Sequence, residues 1–227
     1  LTFDKHPSGQ SITVEETDFE DIDVETYEEE ILEIAANDPI EQMKNSIAPK
    51  IRGHDNIKEA VVLQLLGGTH VEYPSGERDR GDFHVLCIGD PGCGKSTILD
   101  AAKEIAPRST KASGKGASKS GMTAAAVRDD FGDTEWGLEA GALVVADKGI
   151  ACVDEIDKVD DNALQSLHQA LSKQRVSINK AGINTELPTR TAMLAAGNPS
   201  YGRFEAFEST AEQIDLSPTL LSRFDLI

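Results

Sequence analysis

Apolar positions along this chain follow a helical period at first and then alternate between strand-like runs and helical stretches. Val24, Tyr27, Ile31 and Ile34 recur at steps of three and four, which predicts a short amphipathic helix from Val24 to Ala36. Asp38 and Pro39 supply an N-cap and a first-turn proline for a second helix through Ile47. Asp55 caps a third, with Ile57, Val61 and Leu65 on one face and Gly67-Gly68 as its stop. Residues 72–82 are polar and turn-rich. Beyond them Phe83 to Ile88 reads as a buried strand, Lys95 to Ile105 as a helix, and Asp161 to Leu171 as another helix. Two apolar runs, Ala142 to Ala146 and Ile150 to Val153, are split by Asp147-Lys148-Gly149. Arg175 to Asn179 and Ile183 to Leu187, joined through Lys180-Ala181-Gly182, predict a hairpin, and Thr191 to Ala196 a further buried strand. Strands alternating with helices predict an α/β fold, a parallel sheet covered by helices.

Charge changes the picture only at one end. The net charge is −18 over 227 residues. Thirteen of the acids fall between residues 15 and 41, where no Lys or Arg occurs. That excludes a uniformly basic nucleic-acid coat and leaves room for a local basic contact. Residues 1–22, polar and aperiodic, read as a linker or arm, and residues 23–227 as the folded core. The longest apolar runs fall well short of the roughly 18 to 20 residues a membrane span needs, so no membrane role is expected. Three cysteines without CxxC spacing argue against a disulfide framework or a zinc site and make a reducing compartment the default. Cys87 and Cys152, on core strands, are expected to be inert; Cys93 is a candidate reactive thiol.

Gly89-Asp90-Pro91-Gly92-Cys93-Gly94-Lys95-Ser96 fits GxxxxGK[ST] and stands between an apolar strand and a helix, the context the motif requires. Glycines let backbone amides curl round phosphate oxygens, and the helix N-terminus adds positive potential. Lys95 would then reach the β- and γ-phosphates of ATP, and Ser96 would ligate magnesium. Farther on, Ile150 to Val153 ends in Asp154-Glu155. Paired carboxylates at a buried strand end are costly without a cation, so Asp154 is the candidate to hold magnesium through its waters and Glu155 to polarise the attacking water.

Three further features admit two readings each. Asn198, past the strand that ends at Ala196, either orients the lytic water or makes a turn before Pro199. Arg223, in Ser222-Arg223-Phe224-Asp225, either reaches a neighbouring subunit's γ-phosphate or is a surface residue. Arg108 to Arg128 carries five bases and no acid. It either tracks a phosphate backbone or is a solvated loop, and Lys180 in the hairpin is a second such candidate.

Taken together the chain resembles the AAA+ ATPases, and more narrowly the motor domain of the minichromosome maintenance (MCM) replicative helicases, over about residues 24–227. The phrases that carry the resemblance run in order: Asn45-Ser46-Ile47-Ala48-Pro49, Gly53-His54, Arg80-Gly81-Asp82, the phosphate loop, Ser113-Gly114-Lys115-Gly116-Ala117-Ser118 and Leu138-Glu139-Ala140-Gly141-Ala142-Leu143. Asp154-Glu155-Ile156-Asp157-Lys158, Lys180-Ala181-Gly182-Ile183, Ala195-Ala196-Gly197-Asn198-Pro199 and Leu220-Leu221-Ser222-Arg223-Phe224-Asp225 follow.

The resemblance implies a three-layer P-loop fold with inserted β-hairpins, truncated before the family's lid subdomain. It implies that Asn198 is the sensor asparagine, Arg223 an arginine finger acting in trans, and Lys180 the lysine that grips single-stranded DNA in a central channel. Residues Ala125 to Ala140 match the family's helix-interrupting insert, and Ile47 and Ile51 fall where the family packs round adenine. ATP and Mg²⁺, a ring (a hexamer) of self or paralogous subunits, and replication factors are the implied cofactors and partners. The implied location is the nucleus of a eukaryote, or the cytoplasm and nucleoid of a prokaryote. The phosphate loop departs from many members in having Gly94 where they have Ala, and Cys93 is an unusual occupant. The rivals are an AAA+ remodelling ATPase of another clade, indifferent to DNA, and an ATP-binding subunit without catalysis.

Overall fold

The computed structural model describes residues 3–5, 12–14, 25–75, 78–128, 136–180 and 183–227. The elements run β1 (Phe3–Lys5), β2 (Ile12–Val14), α1 (Glu28–Ala35), α2 (Pro39–Ser46), α3 (Asp55–Leu66), β3 (Val71–Glu72), β4 (Arg78–Asp79) and β5 (His84–Ile88). They continue with α4 (Lys95–Ile105), β6 (Ser109–Ser113), α5 (Lys119–Met122), β7 (Ala124–Arg128), β8 (Trp136–Ala140), α6 (Ala142–Val145) and β9 (Gly149–Asp154). The last are α7 (Asp161–Lys173), β10 (Arg175–Lys180), β11 (Ile183–Pro188), β12 (Thr191–Gly197) and α8 (Pro218–Leu221).

Four strands form the central sheet in the order β5-β12-β9-β6, and all three pairings are parallel. Side chains alternate across it, because successive Cβ atoms on a strand point to opposite faces. Leu86, Ala151, Val153, Met193 and Ala195 enter one core with Leu143, Leu167, Leu171 and Leu220 from α6, α7 and α8. Val85, Ile150, Cys152, Ala192, Leu194 and Ala196 enter a second with Val61, Val62, Ile98, Leu99 and Ala102 from α3 and α4. The sheet is therefore the middle of three layers, as expected. β12 is buried at every position, which explains its unbroken apolar run.

The departures have local causes. Of the two apolar runs, Ile150 to Val153 is strand β9, whereas Ala142 to Val145 is the short helix α6. Ser109–Ser113, read as part of a basic loop, is the edge strand β6; an edge strand has one pairing partner and tolerates polar side chains. The first helix forms as α1 over Glu28–Ala35, but it buries no residue, and Tyr27, Ile31, Leu32 and Ile34 are exposed. Within the segment read as an arm, β1 pairs antiparallel with β2. Asp55, expected to cap the third helix, is instead the first residue of α3, and His54 at the N-cap position makes no side-chain cap bond. Asp160 caps α7, its carboxylate accepting from Ala163 N–H at 2.8 Å.

Two hairpins leave the sheet. β10 pairs with β11 from Arg175↔Pro188 to Lys180↔Ile183; Ala181 and Gly182 at the turn lie outside the described residues. β7 pairs with β8 from Ala124↔Ala140 to Arg128↔Trp136, with residues 129–135 outside the description. The β7–β8 pair stands between α5 and α6, and Gly141 N–H donates to the Thr123 carbonyl at 2.8 Å across its base. The β7–β8 pair thus stands as an insert between two helical pieces, where the family resemblance implied one.

Candidate active site

Sheet order brings the motifs together. β12 lies between β5, which runs into the phosphate loop, and β9, which ends at Asp154. Asn198 follows β12 directly, so it falls between Lys95 and Glu155 at the C-terminal ends of the strands, where ligands of such sheets bind.

The loop itself is a backbone cradle. Gly92 and Gly94 adopt φ of +80° and +94°, a region open to glycine. A Cβ on Gly92 would meet nothing within 4 Å, so that part of the loop is open above the backbone. A Cβ on Gly94 would come within 2.7 Å of Ile51 Cδ1, a flexible side-chain end, which places Ile51 against the loop. Ile47, by contrast, is fully buried in the α3–α4 core, at 1% exposure. Lys95 and Ser96 open α4, whose first-turn amides lie at the loop.

Lys95 Nζ donates to the carbonyls of Gly89 (2.5 Å) and Asp90 (2.8 Å) and to Asn198 Oδ1 (3.1 Å), and stands 3.7 Å from Cys93 Sγ. The Asp90 carboxylate in turn accepts from Phe204 N–H at 3.0 Å, tying the loop to the segment after β12. Asn198 is held from the other side, its N–H donating to Asp157 Oδ1 at 3.0 Å.

Glu155 sits in the left-handed region at φ 54°, ψ 44°. A non-glycine residue there stores strain, and such outliers cluster at functional sites. Its N–H donates to Asp154 Oδ1 at 3.0 Å. Ser113, at the end of β6, donates to Glu155 Oε2 at 3.1 Å. Gly114 follows with no room for a side chain: a Cβ would collide with the Glu155 carbonyl. Lys111 on β6 pairs with Asp100 at 2.5 Å and lies 3.8 Å from Asp154 Oδ2. Its ammonium serves the carboxylate cluster instead of belonging to an open loop.

Arg223 stands apart from these groups. Its Nε donates to His168 Nε2 on α7 at 3.3 Å, and its carbonyl accepts from Arg80 Nη2 at 3.3 Å. Lys180 closes β10 beside the hairpin turn.

The chemistry of the donors fits a nucleotide with a hard cation. Among the described residues no group of three or more His, Cys, Asp and Glu could hold a metal alone. One hydroxyl (Ser96) and one carboxylate (Asp154) completed by phosphate oxygens is the sparse donor set that magnesium accepts. A cleft of about 1150 Å³ lies instead at the opposite end of the strands, lined by Gly149, Ala192, Arg175 and Glu186 among others. It contains none of the candidate ATP-site residues.

Burial explains the two inert thiols: it pushes Cys87 up to about 11 and Cys152 up to about 11. Cys93 is exposed. Sequence reasoning missed Ser113, Asp157 and His168, and it placed Lys111 in a basic stretch instead of beside Asp100 and Asp154. Of the three missed, only Ser113 and Asp157 carried a signal, since both stand inside the phrases that marked the family resemblance.

Comparison with known proteins gives a consistent picture. The family model described as "MCM P-loop domain" matches residues 27–227. The DNA replication licensing factor MCM7 of Arabidopsis thaliana is 42% identical over 100% of this chain and 32% of its own length. The Minichromosome maintenance protein MCM of Saccharolobus solfataricus is 44% identical over 99% of this chain and 33% of its own. The DNA replication licensing factor Mcm3 of Drosophila melanogaster is 45% identical over 84% of this chain and 23% of its own. The chain spans about a third of the length of the first of these curated relatives. Among the described residues no helix is long and apolar enough to cross a membrane.

Proposed function

The chain belongs to the MCM P-loop domain family, and from that premise we propose that it is the ATP-hydrolysing motor of a ring-forming replicative DNA helicase. The observation that supports this best is the placement of Asn198 between Lys95 and Glu155 by the β5-β12-β9 strand order. Lys95 and the backbone N–H groups from Gly92 to Ser96 bind the phosphates of ATP, Pro91 having none to offer. Ser96 and Asp154 hold magnesium, which neutralises charge on the phosphate oxygens when bound. Glu155 polarises the attacking water, and Asn198 orients it. Ile51, against the loop, flanks the adenine, and Ile47, buried in the core on which Ile51 packs, backs that wall. Arg223 reaches the γ-phosphate of the adjoining subunit and stabilises charge that develops there. The protein's contribution is positioning and preorganised charge, with little covalent chemistry of its own.

Residues 23–227 form the ATPase core and residues 1–22 an arm before it. The full protein assembles as a hexameric ring of identical or paralogous subunits and works with other replication factors. Lys180 grips single-stranded DNA in the ring's channel, and turnover moves the hairpins along it. Such a protein acts on chromosomal DNA, in the nucleus of a eukaryote or the nucleoid of a prokaryote. Relatives named as replication licensing factors support this placement.

The test is steady-state ATP hydrolysis by the full-length parent, with and without single-stranded DNA. A several-fold rise with DNA that Lys180→Ala removes is the expected result. Robust turnover indifferent to DNA overturns the helicase reading in favour of a general AAA+ remodeller.

A further inference from the structure

Arg223 is held by its Nε, and that choice of nitrogen matters. A guanidinium offers five N–H donors in a planar fork. His168 Nε2 takes the Nε–H at 3.3 Å. Among the described residues no hydrogen bond or ion pair engages either terminal nitrogen of Arg223. The two nitrogens that make a bidentate contact with an anion are thus left for a partner, while the third pins the plane of the group. An acceptor at Nε2 also fixes the imidazole as the neutral tautomer with its proton on Nδ1.

The backbone beneath the side chain is fixed independently. Arg80 Nη2 donates to the Arg223 carbonyl at 3.3 Å and to both Asp225 oxygens at 2.8 and 2.9 Å. Asp225 Oδ2 accepts from His84 N–H at 2.8 Å, so the segment is latched to the start of β5. Phe224 is buried in the α7–α8 core. With the backbone latched, the remaining freedom of Arg223 is in its own long side chain, and His168 is the group that restrains it.

We propose that His168 is a positioning residue for the trans-acting Arg223: its neutral imidazole fixes the plane of the guanidinium so that the two terminal nitrogens face the adjoining subunit's γ-phosphate. This rests on the reading of Arg223 given above. His168 touches no reacting atom. Its contribution is lost orientation entropy, incurred before the transition state forms.

The test uses the full-length protein with single-stranded DNA and Mg-ATP, scoring kcat and KM separately. Arg223→Ala is expected to lower kcat by about 10³. His168→Leu is expected to lower kcat about tenfold with KM for ATP unchanged, because the nucleotide pocket of the same chain is not disturbed. His168→Gln, whose side-chain carbonyl accepts at similar reach, is expected to restore kcat to within about twofold of the wild type. The double variant is expected to be no slower than Arg223→Ala alone, since His168 acts only through Arg223.

Melting temperatures qualify each variant as folded, and His168→Ala replaces His168→Leu in the same comparison where the latter does not fold. Wild-type kcat in the folded apolar variant, or a loss that adds in full to that of Arg223→Ala, overturns the proposal and leaves the trans role of Arg223 standing. Wild-type turnover by Arg223→Ala overturns the trans role itself.

Discussion

Lys95 and Asn198, 103 positions apart in the chain, meet at 3.1 Å with the ammonium donating to the amide oxygen. The contact decides which way the amide faces: with Oδ1 on Lys95, the Nδ2 protons are turned elsewhere. A single strand end therefore ties the cation expected to bind phosphate to the group expected to orient water.

From this, Asn198→Ala should cut kcat for ATP by about 10², the usual cost of removing one aimed donor. Nucleotide affinity should change by no more than about threefold, because Lys95 keeps its two carbonyl partners. Asn198→Asp, which keeps the acceptor and loses the donors, should fall as far. Rates near wild type in both variants would refute the assignment.

Glu155 separates chemistry from backbone strain. Glu155→Gln retains an acceptor for Ser113 and should fold normally, bind nucleotide, and lose about 10² to 10⁴ in turnover. Binding of a fluorescent ATP analogue and release of phosphate check the two halves. Its φ of 54° adds a second expectation. Glu155→Gly should be more stable than Glu155→Ala by about 1 kcal/mol, read from denaturant midpoints, since glycine enters that region without penalty.

The thiols should react in a fixed order. Cys93 is exposed beside Lys95, whereas burial raises Cys87 and Cys152 to about 11. A small alkylating reagent at neutral pH should modify Cys93 first and weaken ATP binding, with ATP protecting it. Mass mapping of the first adduct to Cys87 or Cys152, or unchanged affinity after Cys93 is blocked, would count against this.

His84 should make the fold acid-sensitive. It is buried at 1% exposure, and burial, then the nearby Arg80, hold it down at about 3. The unfolded chain takes up a proton near pH 6.5 that the native imidazole refuses. Stability from this group is therefore complete above about pH 6.5 and falls as pH drops toward about 3, by up to about 1.4 kcal/mol per pH unit. Urea midpoints at pH 7 and pH 5 should diverge less in His84→Gln than in the wild type. An equal divergence would mean that other groups carry the acid response.

The sheet was readable from sequence because β5, β9 and β12 are covered on both faces and so appear as unbroken apolar runs ending in their motifs. β6 was not, because an edge strand of Ser, Thr and Lys has no periodic signature, and its place follows from pairing with β9. The phosphate loop and Asp154-Glu155 stood out in the sequence because the chemistry expected of them needs particular residues at particular spacing. Ser113, Lys111 and His168 act across the fold on residues 42, 43 and 55 positions away, which no local pattern encodes. The apolar face of α1 was legible as a pattern, yet the described residues supply no cover for it.

The bond from Gly141 to Thr123 has an architectural consequence. It closes the base of the β7–β8 hairpin, so the chain on either side already meets as though the hairpin were absent. A Cβ on Gly141 would come within 2.6 Å of Thr123 N, which keeps that seam tight. Lengthening the excursion then adds only the slow logarithmic cost of a longer loop and leaves the sheet untouched. The hairpin is a side branch grafted at a sealed junction, and extending its far end leaves the α/β core beneath it as it is.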